Sequence, residues 1–369
     1  MDNYFPPMEL IRLSPREMEE YEKNKAKENR RVRNLLSEAK KRSKRETCYI
    51  CGNKCNSFCN SHSVPKFCLR RISNQGRVYQ SGLQKEFPLL GDDRGIANAG
   101  TFHIICNNCD NTVFQEYEDS SAYDKEPSSK ILAQIAMKNY LHLLAQRFID
   151  QEIQSIIRDR KHTLIEKAAA ESNLQFYSLD IESFQEGFQR AKIAANGNHK
   201  DWYNLLFFIK LDYVVPVAHQ AAITLISDFN DSVINNIYSR DQDYKTRCLH
   251  IAIFPLKSET AIIVFVDNKD KRYRSFCKQF SALSLDDKLA ALNYIIFCYE
   301  ENVFITKNEK IDEVLNNRAF LDICQRTTSA RLDYNPEKAL NVAVSNYSLS
   351  NMHSVPNLLS REYALSSID

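Results

Sequence analysis

The segment "CYICGNKCNSFCNSHSVPKF" (48–67) sets four cysteines and one histidine within twenty residues, and "FHIICNNCDNTVFQEYED" (102–119) adds two more cysteines. Cys48 and Cys51 form a Cys-x-x-Cys followed by Gly52, and Cys106 and Cys109 repeat the spacing. A glycine there permits a tight turn that aims backbone N–H groups at the thiolates. The second pair ends an apolar strand-like run, "TFHII", and begins a helix-like one, "DNTVFQEYE". Four thiolates satisfy a tetrahedral ion, so the spacing predicts a structural zinc site at Cys48, Cys51, Cys106 and Cys109. Cys55, Cys59 and Cys68 complicate the reading. A local site of Cys48, Cys51, Cys55 and Cys59 is the alternative, but it leaves the second pair unused. Cys248, Cys277, Cys298 and Cys324 stand alone in apolar contexts and read as small core residues.

Outward from this module the chain falls into five stretches. Residues 1–46 carry a basic N-terminal helix. Between Lys23 and Arg45 lie 11 Lys/Arg against two Glu, net +9, while the rest of the chain has 38 Lys/Arg against 45 Asp/Glu, net −7. That segment lacks Gly and Pro and is rich in helix formers. Upstream, Ser14, Pro15 and Glu17 have a helix-start arrangement. Residues 47–125 are the cysteine module, with strands and loops over 73–100. Residues 126–200 are helical, and 128–160 form a long amphipathic helix with Ile131, Ile135, Leu141, Leu144 and Phe148 near one stripe. Residues 201–325 alternate differently. "CLHIAIFPLKSETAIIVFVDN" (248–268) reads as a hairpin of buried strands, "VINNIY" (233–238) as a strand, and "SLDDKLAALNYIIFCYEEN" (284–302) as a helix capped by Ser284. Residues 326–369 read as a weakly structured tail. Hairpin strands followed by helices predict an α+β fold with an antiparallel sheet beside the zinc module and its long helices.

The 369 residues, 43% of them apolar, can build sizeable cores. No stretch approaches 18 apolar residues, and the N-terminus has no basic-then-apolar leader pattern. The expectation is a cytoplasmic protein without membrane contact, in which paired cysteines mean metal before disulfide. A phosphate-binding glycine loop is absent, since "GDDRGIANAG" (91–100) lacks the lysine, and there is no Gly-x-Ser-x-Gly elbow.

The order Cys-x-x-Cys, "NSHSVPKF" (60–67), then "ICNNCDN" resembles the HNH nuclease superfamily, whose zinc-bearing members have a treble-clef layout. It resembles more closely a group of bacterial proteins related to that superfamily. The first likeness covers about residues 48–120, and the second extends through "LAQIAMKNYL" (132–141) and "LDYVVPVAHQAA" (211–222). The resemblance implies that His62 is the general base on an attacking water, that Asn98 orients it, and that Asp110 helps bind a catalytic Mg²⁺ or Mn²⁺. Asn111 and His103 are other candidates for the orienting role. Two departures stand out. Ser61 occupies a position where such enzymes carry a metal-ligating Asp or His, and Phe114 stands where a basic or ligating side chain is usual. Glu116 and Glu118, expected on the following helix, are the compensating ligands.

These readings combine into an expected function. The chain is an HNH-like nucleic-acid-binding protein, a metal-dependent endonuclease by resemblance and by analogy a bacterial defence protein. The alternative is a non-catalytic zinc-finger scaffold. Arg30, Arg31, Arg33, Lys40, Lys41, Arg42, Lys44 and Arg45 are the candidate phosphate contacts, with DNA favoured over RNA. Residues 201–325 are the expected surface for a protein partner or a second copy.

Overall fold

In a computed structural model the fold is described for residues 15–81, 90–160, 164–197, 202–239, 241–324 and 336–366. The elements are, in order, α1 (Pro15–Arg42), β1 (Ser61–His62), α2 (Lys66–Ile72), β2 (Arg77–Ser81), β3 (Leu90–Gly95), β4 (Thr101–Phe102), α3 (Asn107–Val113), α4 (Ser129–Asp159), α5 (Leu164–Asn196), β5 (Tyr203–Leu211), β6 (Val217–Ile223), β7 (Leu249–Pro255), β8 (Thr260–Asp267), α6 (Arg274–Ala282), α7 (Leu285–Tyr299), β9 (Val303–Ile305), α8 (Glu309–Leu315), α9 (Arg318–Cys324) and α10 (Pro336–Asn346). Seven strands form one antiparallel sheet in the order β3-β2-β9-β6-β7-β8-β5, and β1 pairs with β4 apart from it. The fold is α+β, as the sequence predicts. No described helix is long and apolar enough to cross a membrane.

The central strands are buried on both faces, so they read as continuous apolar runs. Their alternation assigns two separate cores. Ala252 and Phe254 of β7, Ile263 and Phe265 of β8, and Phe304 of β9 face the cysteine module and α4. Leu249, Ile251 and Ile253, then Ile262 and Val264, then Val303 and Ile305 face α6, α7 and the C-terminal helices. The sheet is thus the middle of three layers. Its β7–β8 hairpin turns at the "LKSE" tetrapeptide, in the expected register, with Pro255 opposite Thr260.

The long gap between the cysteine pairs folds back through the sheet. β2 and β3 form a hairpin that adds to its edge, with Tyr79 opposite Ile305. Gly100 joins that hairpin to β4 at φ +63°, and a Cβ there would lie 2.4 Å from the Phe304 ring and 2.5 Å from Ser63 Oγ. Gly100→Ala is therefore expected to lower unfolding free energy by about 2–4 kcal/mol, from backbone strain plus overpacking. Urea denaturation checks this, and a change below about 0.5 kcal/mol would show that the contact yields freely.

α4 starts at the Ser128 cap, whose Oγ accepts from Ile131 N (3.3 Å). Arg147 bonds Asp180 and Gln151 bonds Ser178, so α5 runs antiparallel along α4. The expected single apolar stripe is too narrow a description. Every residue from Ile131 to His142 is buried, because the cysteine module, the sheet and α5 surround the helix.

Two local expectations change. Residues 233–238 are not a strand but a turn-rich segment, held by one bridge between Ser227 and Val233. Its anchor is the buried Asn235, whose Nδ2 donates to Leu225 O (2.7 Å) and Arg247 O (3.0 Å) and whose Oδ1 accepts from Arg247 N (2.9 Å). The tail, read as weakly structured over 326–369, is packed over 336–366. Leu349, Val355, Leu358 and Leu359 are buried, and Asn293 bonds Pro356 O (3.0 Å) and Leu358 N (3.0 Å). Its apolar residues are spaced for a groove rather than for one helix, so no period marked them. Residues 326–335 and 367–369 lie outside the described set, as do residues 1–14, Ser14 among them.

Candidate metal centre and the cluster beside it

The first cysteine pair sits on a turn built by the sequence "CYICGN". Cys48 N donates to Asn53 O (2.9 Å), Gly52 N donates to Cys48 O (2.8 Å), and Gly52 takes φ +74°. That positive φ is the reason for glycine at this position. The second pair opens α3. Cys106 is its N-cap, with Sγ accepting from Cys109 N (3.4 Å), and Cys106 N donates to Cys48 Sγ (3.3 Å). The sulfurs of Cys48, Cys51, Cys106 and Cys109 lie within 4.8 Å of one another. Tetrahedral Zn–S bonds of about 2.3 Å place sulfurs about 3.8 Å apart, so the set closes on zinc with small shifts. Burial works to raise the Cys48 thiol, but N–H groups of Cys51, Cys106 and Ile50 bring it down to about 7, whereas Cys109 is pushed up. Four thiols this close cannot all ionise without a cation among them. The four cysteines thus form a cluster able to hold a metal such as zinc.

Cys55 and Cys59 stand outside that cluster. Cys55 Sγ points to Asn53 O (3.3 Å). Cys59 Sγ donates to Asp110 Oδ2 (3.0 Å), and burial followed by this bond pushes its thiol up to about 12. Such a thiol stays protonated and is a poor ligand. Cys248, Cys298 and Cys324 are buried and Cys277 is half-buried, in keeping with their apolar contexts.

Next to the cysteines the strand pair β1–β4 and α3 bring together His62, Ser61 and Asp110. Ser61 and Asp110 touch directly, Oγ donating to Oδ1 at 2.7 Å. The third partner comes from α4. Lys138 Nζ, wholly buried, donates to Asp110 Oδ1 (2.7 Å) and Ser61 Oγ (2.9 Å) and pairs with Glu118 Oε1 (3.1 Å). The Phe114 ring centroid lies 3.9 Å from the ammonium, a cation–π contact. Burial works to raise the Asp110 carboxyl, but Lys138 and the bonds from Cys59 and Ser61 outweigh it and hold it below the usual value. Glu118 goes the other way. Burial raises it, and Lys138 only partly offsets this.

Lys138 is the residue that sequence reasoning missed. Its signal was present, since a lysine three residues after Ile135 and three before Leu141 stands inside the apolar run. A charge there needs a buried partner. Phe114, read as a missing ligand, is the platform under that charge.

The other site residues are placed as follows. His62 Nε2 bonds Ile96 O (2.9 Å), and burial lowers the imidazole below its ordinary value. A backbone carbonyl therefore orients the ring. Asn98 is exposed in the turn before β4, with its N–H on Gly95 O (2.9 Å). Asn111 and His103 are also exposed. Glu116 lies beyond the end of α3 and pairs with Lys130 at the surface, so it does not join Asp110. Both Asp110 oxygens are engaged by protein hydrogens. These residues do not fit a divalent ion at Asp110.

The basic residues occupy one flank of the module. α1 leans on α4, with Ala39 buried, Glu38 paired to Arg160 (2.9 Å), and Arg45 stacked over Tyr49 and Phe148 at 5.0 and 5.2 Å. Arg30, Arg31, Arg33, Lys40, Lys41, Arg42 and Lys44 are exposed. Partial desolvation lowers the imidazole of His103, which stays exposed at the surface, and the nearby ammonium groups of Lys40 and Lys44 lower it further. A cavity of about 330 Å³ opens between the end of α1 and α4, lined by Arg42, Lys44, Arg45, Glu46, Phe148 and Glu152. No family model, no curated protein and no solved structure matches the chain.

Proposed function

We propose that this chain is a zinc-stabilised, HNH-like protein that holds nucleic acid through α1 and the adjoining zinc module without cutting it. The reading is supported by charge placement. The chain's excess positive charge is concentrated on one helix that packs on α4, and Lys40 and Lys44 near its C-terminal end are close enough to His103 to lower its imidazole. Exposed Lys and Arg along a rigid helix supply phosphate contacts, and duplex DNA is the expected ligand. Zinc fixes the turn and α3 against which this surface is built.

The non-catalytic alternative is favoured by the engagement of Asp110. An HNH-type hydrolysis needs that carboxylate on a divalent ion, and here it serves Lys138, Ser61 and Cys59. His62 is held by Ile96 O and has no second polar group from Asn98.

Replacing Arg30, Arg31, Arg33, Lys41 and Lys44 with Gln tests the binding surface. If these five meet phosphates, the log–log salt dependence of duplex binding flattens by about 4–5 units. An unchanged slope in fluorescence anisotropy would leave α1 as a solvated helix. The same preparation should cleave neither DNA nor RNA with Mg²⁺ or Mn²⁺. Cleavage that falls roughly 10²–10⁴-fold in His62→Ala would establish the hydrolytic reading instead.

A further inference from the structure

Three oxygen donors from three chain segments converge on one buried point. Asp110 of α3, Ser61 of β1 and Glu118 after α3 all lie within 3.1 Å of Lys138 Nζ. Two carboxylates and a hydroxyl are the donor set of a hard cation such as Mg²⁺ or Mn²⁺, which takes oxygen ligands. The charge count fits as well, since two carboxylates in a part-shielded site call for positive charge among them. In this chain that charge arrives on a side chain.

We infer that Lys138 is a tethered counter-cation standing where a divalent ion would otherwise bind, and that it closes this site to Mg²⁺ and Mn²⁺. A divalent ion needs these oxygens at about 2.1 Å around its own centre, and the ammonium fills that centre. The lysine cannot swing aside to admit one. It projects from the middle of α4, where the helix is buried on all sides, and its own side chain is 0% exposed. The tether also makes the charge independent of metal supply and fastens α4 to β1 and α3. A single ion pair would do the fastening. The convergence of three oxygens, one of them on the half-exposed Glu118, is what marks a cation site. This inference rests on the same Asp110 contacts as the non-cutting part of the proposed function, and it stands or falls separately from nucleic-acid binding, which the salt dependence tests.

Mn²⁺ titration of the zinc-loaded full chain, followed by electron paramagnetic resonance of the free ion, tests it. Mn²⁺ is the weaker binder at thiolates and leaves the zinc in place. The wild type should bind no Mn²⁺ that Asp110→Asn removes. Lys138→Ala should bind one Mn²⁺ per chain at least tenfold more tightly than the wild type, and adding Asp110→Asn should abolish that binding. The melting temperature of Lys138→Ala should also rise with Mn²⁺ while that of the wild type stays constant. A folded Lys138→Ala that takes up no Mn²⁺ overturns the inference, as does a wild-type site lost in Asp110→Asn. A Lys138→Ala chain recovered folded only with Mn²⁺ present supports it. If that variant folds under neither condition, the wild-type arm alone decides, because occupancy at Asp110 is the point at issue.

Discussion

Replacing Cys109 with Ser is expected to release one zinc per chain and to loosen far more than the cysteine module. Structural zinc in small fingers is worth about 10–16 kcal/mol of apparent binding free energy, comparable to the whole stability of a domain. Here the module is not a separate finger. Cys48, Ile50, Ile105 and Cys109 belong to one core with Leu141 of α4 and Phe254 of β7. Tyr49 packs its ring against Phe188 of α5 (centroids 5.1 Å apart), and Lys192 Nζ donates to Ile50 O (2.6 Å). Losing the metal should therefore free amides of β1, β4 and α3 first and then weaken the α4–sheet layer. Elemental analysis of the purified chain should give about one Zn²⁺, and Cys106→Ser or Cys109→Ser about none, with a large fall in melting temperature. Cys55→Ser should keep its zinc. Zinc retained after loss of both Cys106 and Cys109 would sink the four-cysteine assignment and revive the local site with Cys55 and Cys59.

Acid should unfold the chain early, because three histidines are buried neutral, His142 on α4 and His219 and His250 on the sheet. Burial lowers His142 and His219 to about 4 and His250 to about 3. The geometry explains the cost of charging them. His250 stacks on Phe265 (4.6 Å between centroids) and meets the edges of Tyr140 and Tyr203. Its Nδ1 accepts from Asn139 Nδ2 (3.1 Å), whose Oδ1 is taken by Gln220 (2.8 Å), so the proton sits on Nε2. His219 Nδ1 donates to Asn302 O (3.1 Å), which leaves its Nε2 without a protein partner. Since the folded values lie below an unfolded value of about 6.5, the unfolded chain binds more protons as pH falls. The stability linked to these groups is complete above pH 6.5 and is lost as pH drops towards their folded values. By pH 4.5 the three together cost roughly 8 kcal/mol, enough to consume a typical domain's stability. Glu300 opposes them. Burial and the neighbouring Glu301 raise it to about 8, so its linked stability falls as pH rises between its unfolded value and 8. The cleanest measurement is a difference. His250→Phe should remove about one proton, or about 1.4 kcal/mol per pH unit, from the slope of unfolding free energy between pH 6 and pH 5. Equal slopes in wild type and variant would show that the buried imidazole is already charged or does not titrate.

Much of the fold was legible because local rules and burial agreed. The β7–β8 hairpin, the Ser284-capped α7 and the Ser128-started α4 follow from β-branched runs, turn residues and caps. The four-cysteine cluster was legible because metal ligands obey short-range spacing, and Gly52 marks the turn after the first pair. The basic stretch was legible as charge on a helix. The segment around Asn235 was not, since its apolar residues imitate a strand while one buried amide holds a loop. Nor was the packed tail, whose leucines fill a groove lined by distant helices.

The decisive part of the candidate site was of this second kind. The sequence alone determined which residues stand near one another along the chain, namely Ser61 beside His62 and Asp110 after Cys109. Only the tertiary structure decided what Asp110 does, by carrying Lys138 in from 28 residues away on α4. A helix surrounded on every side can bury an ammonium, and the energy of doing so depends on oxygens from other elements that no local pattern specifies.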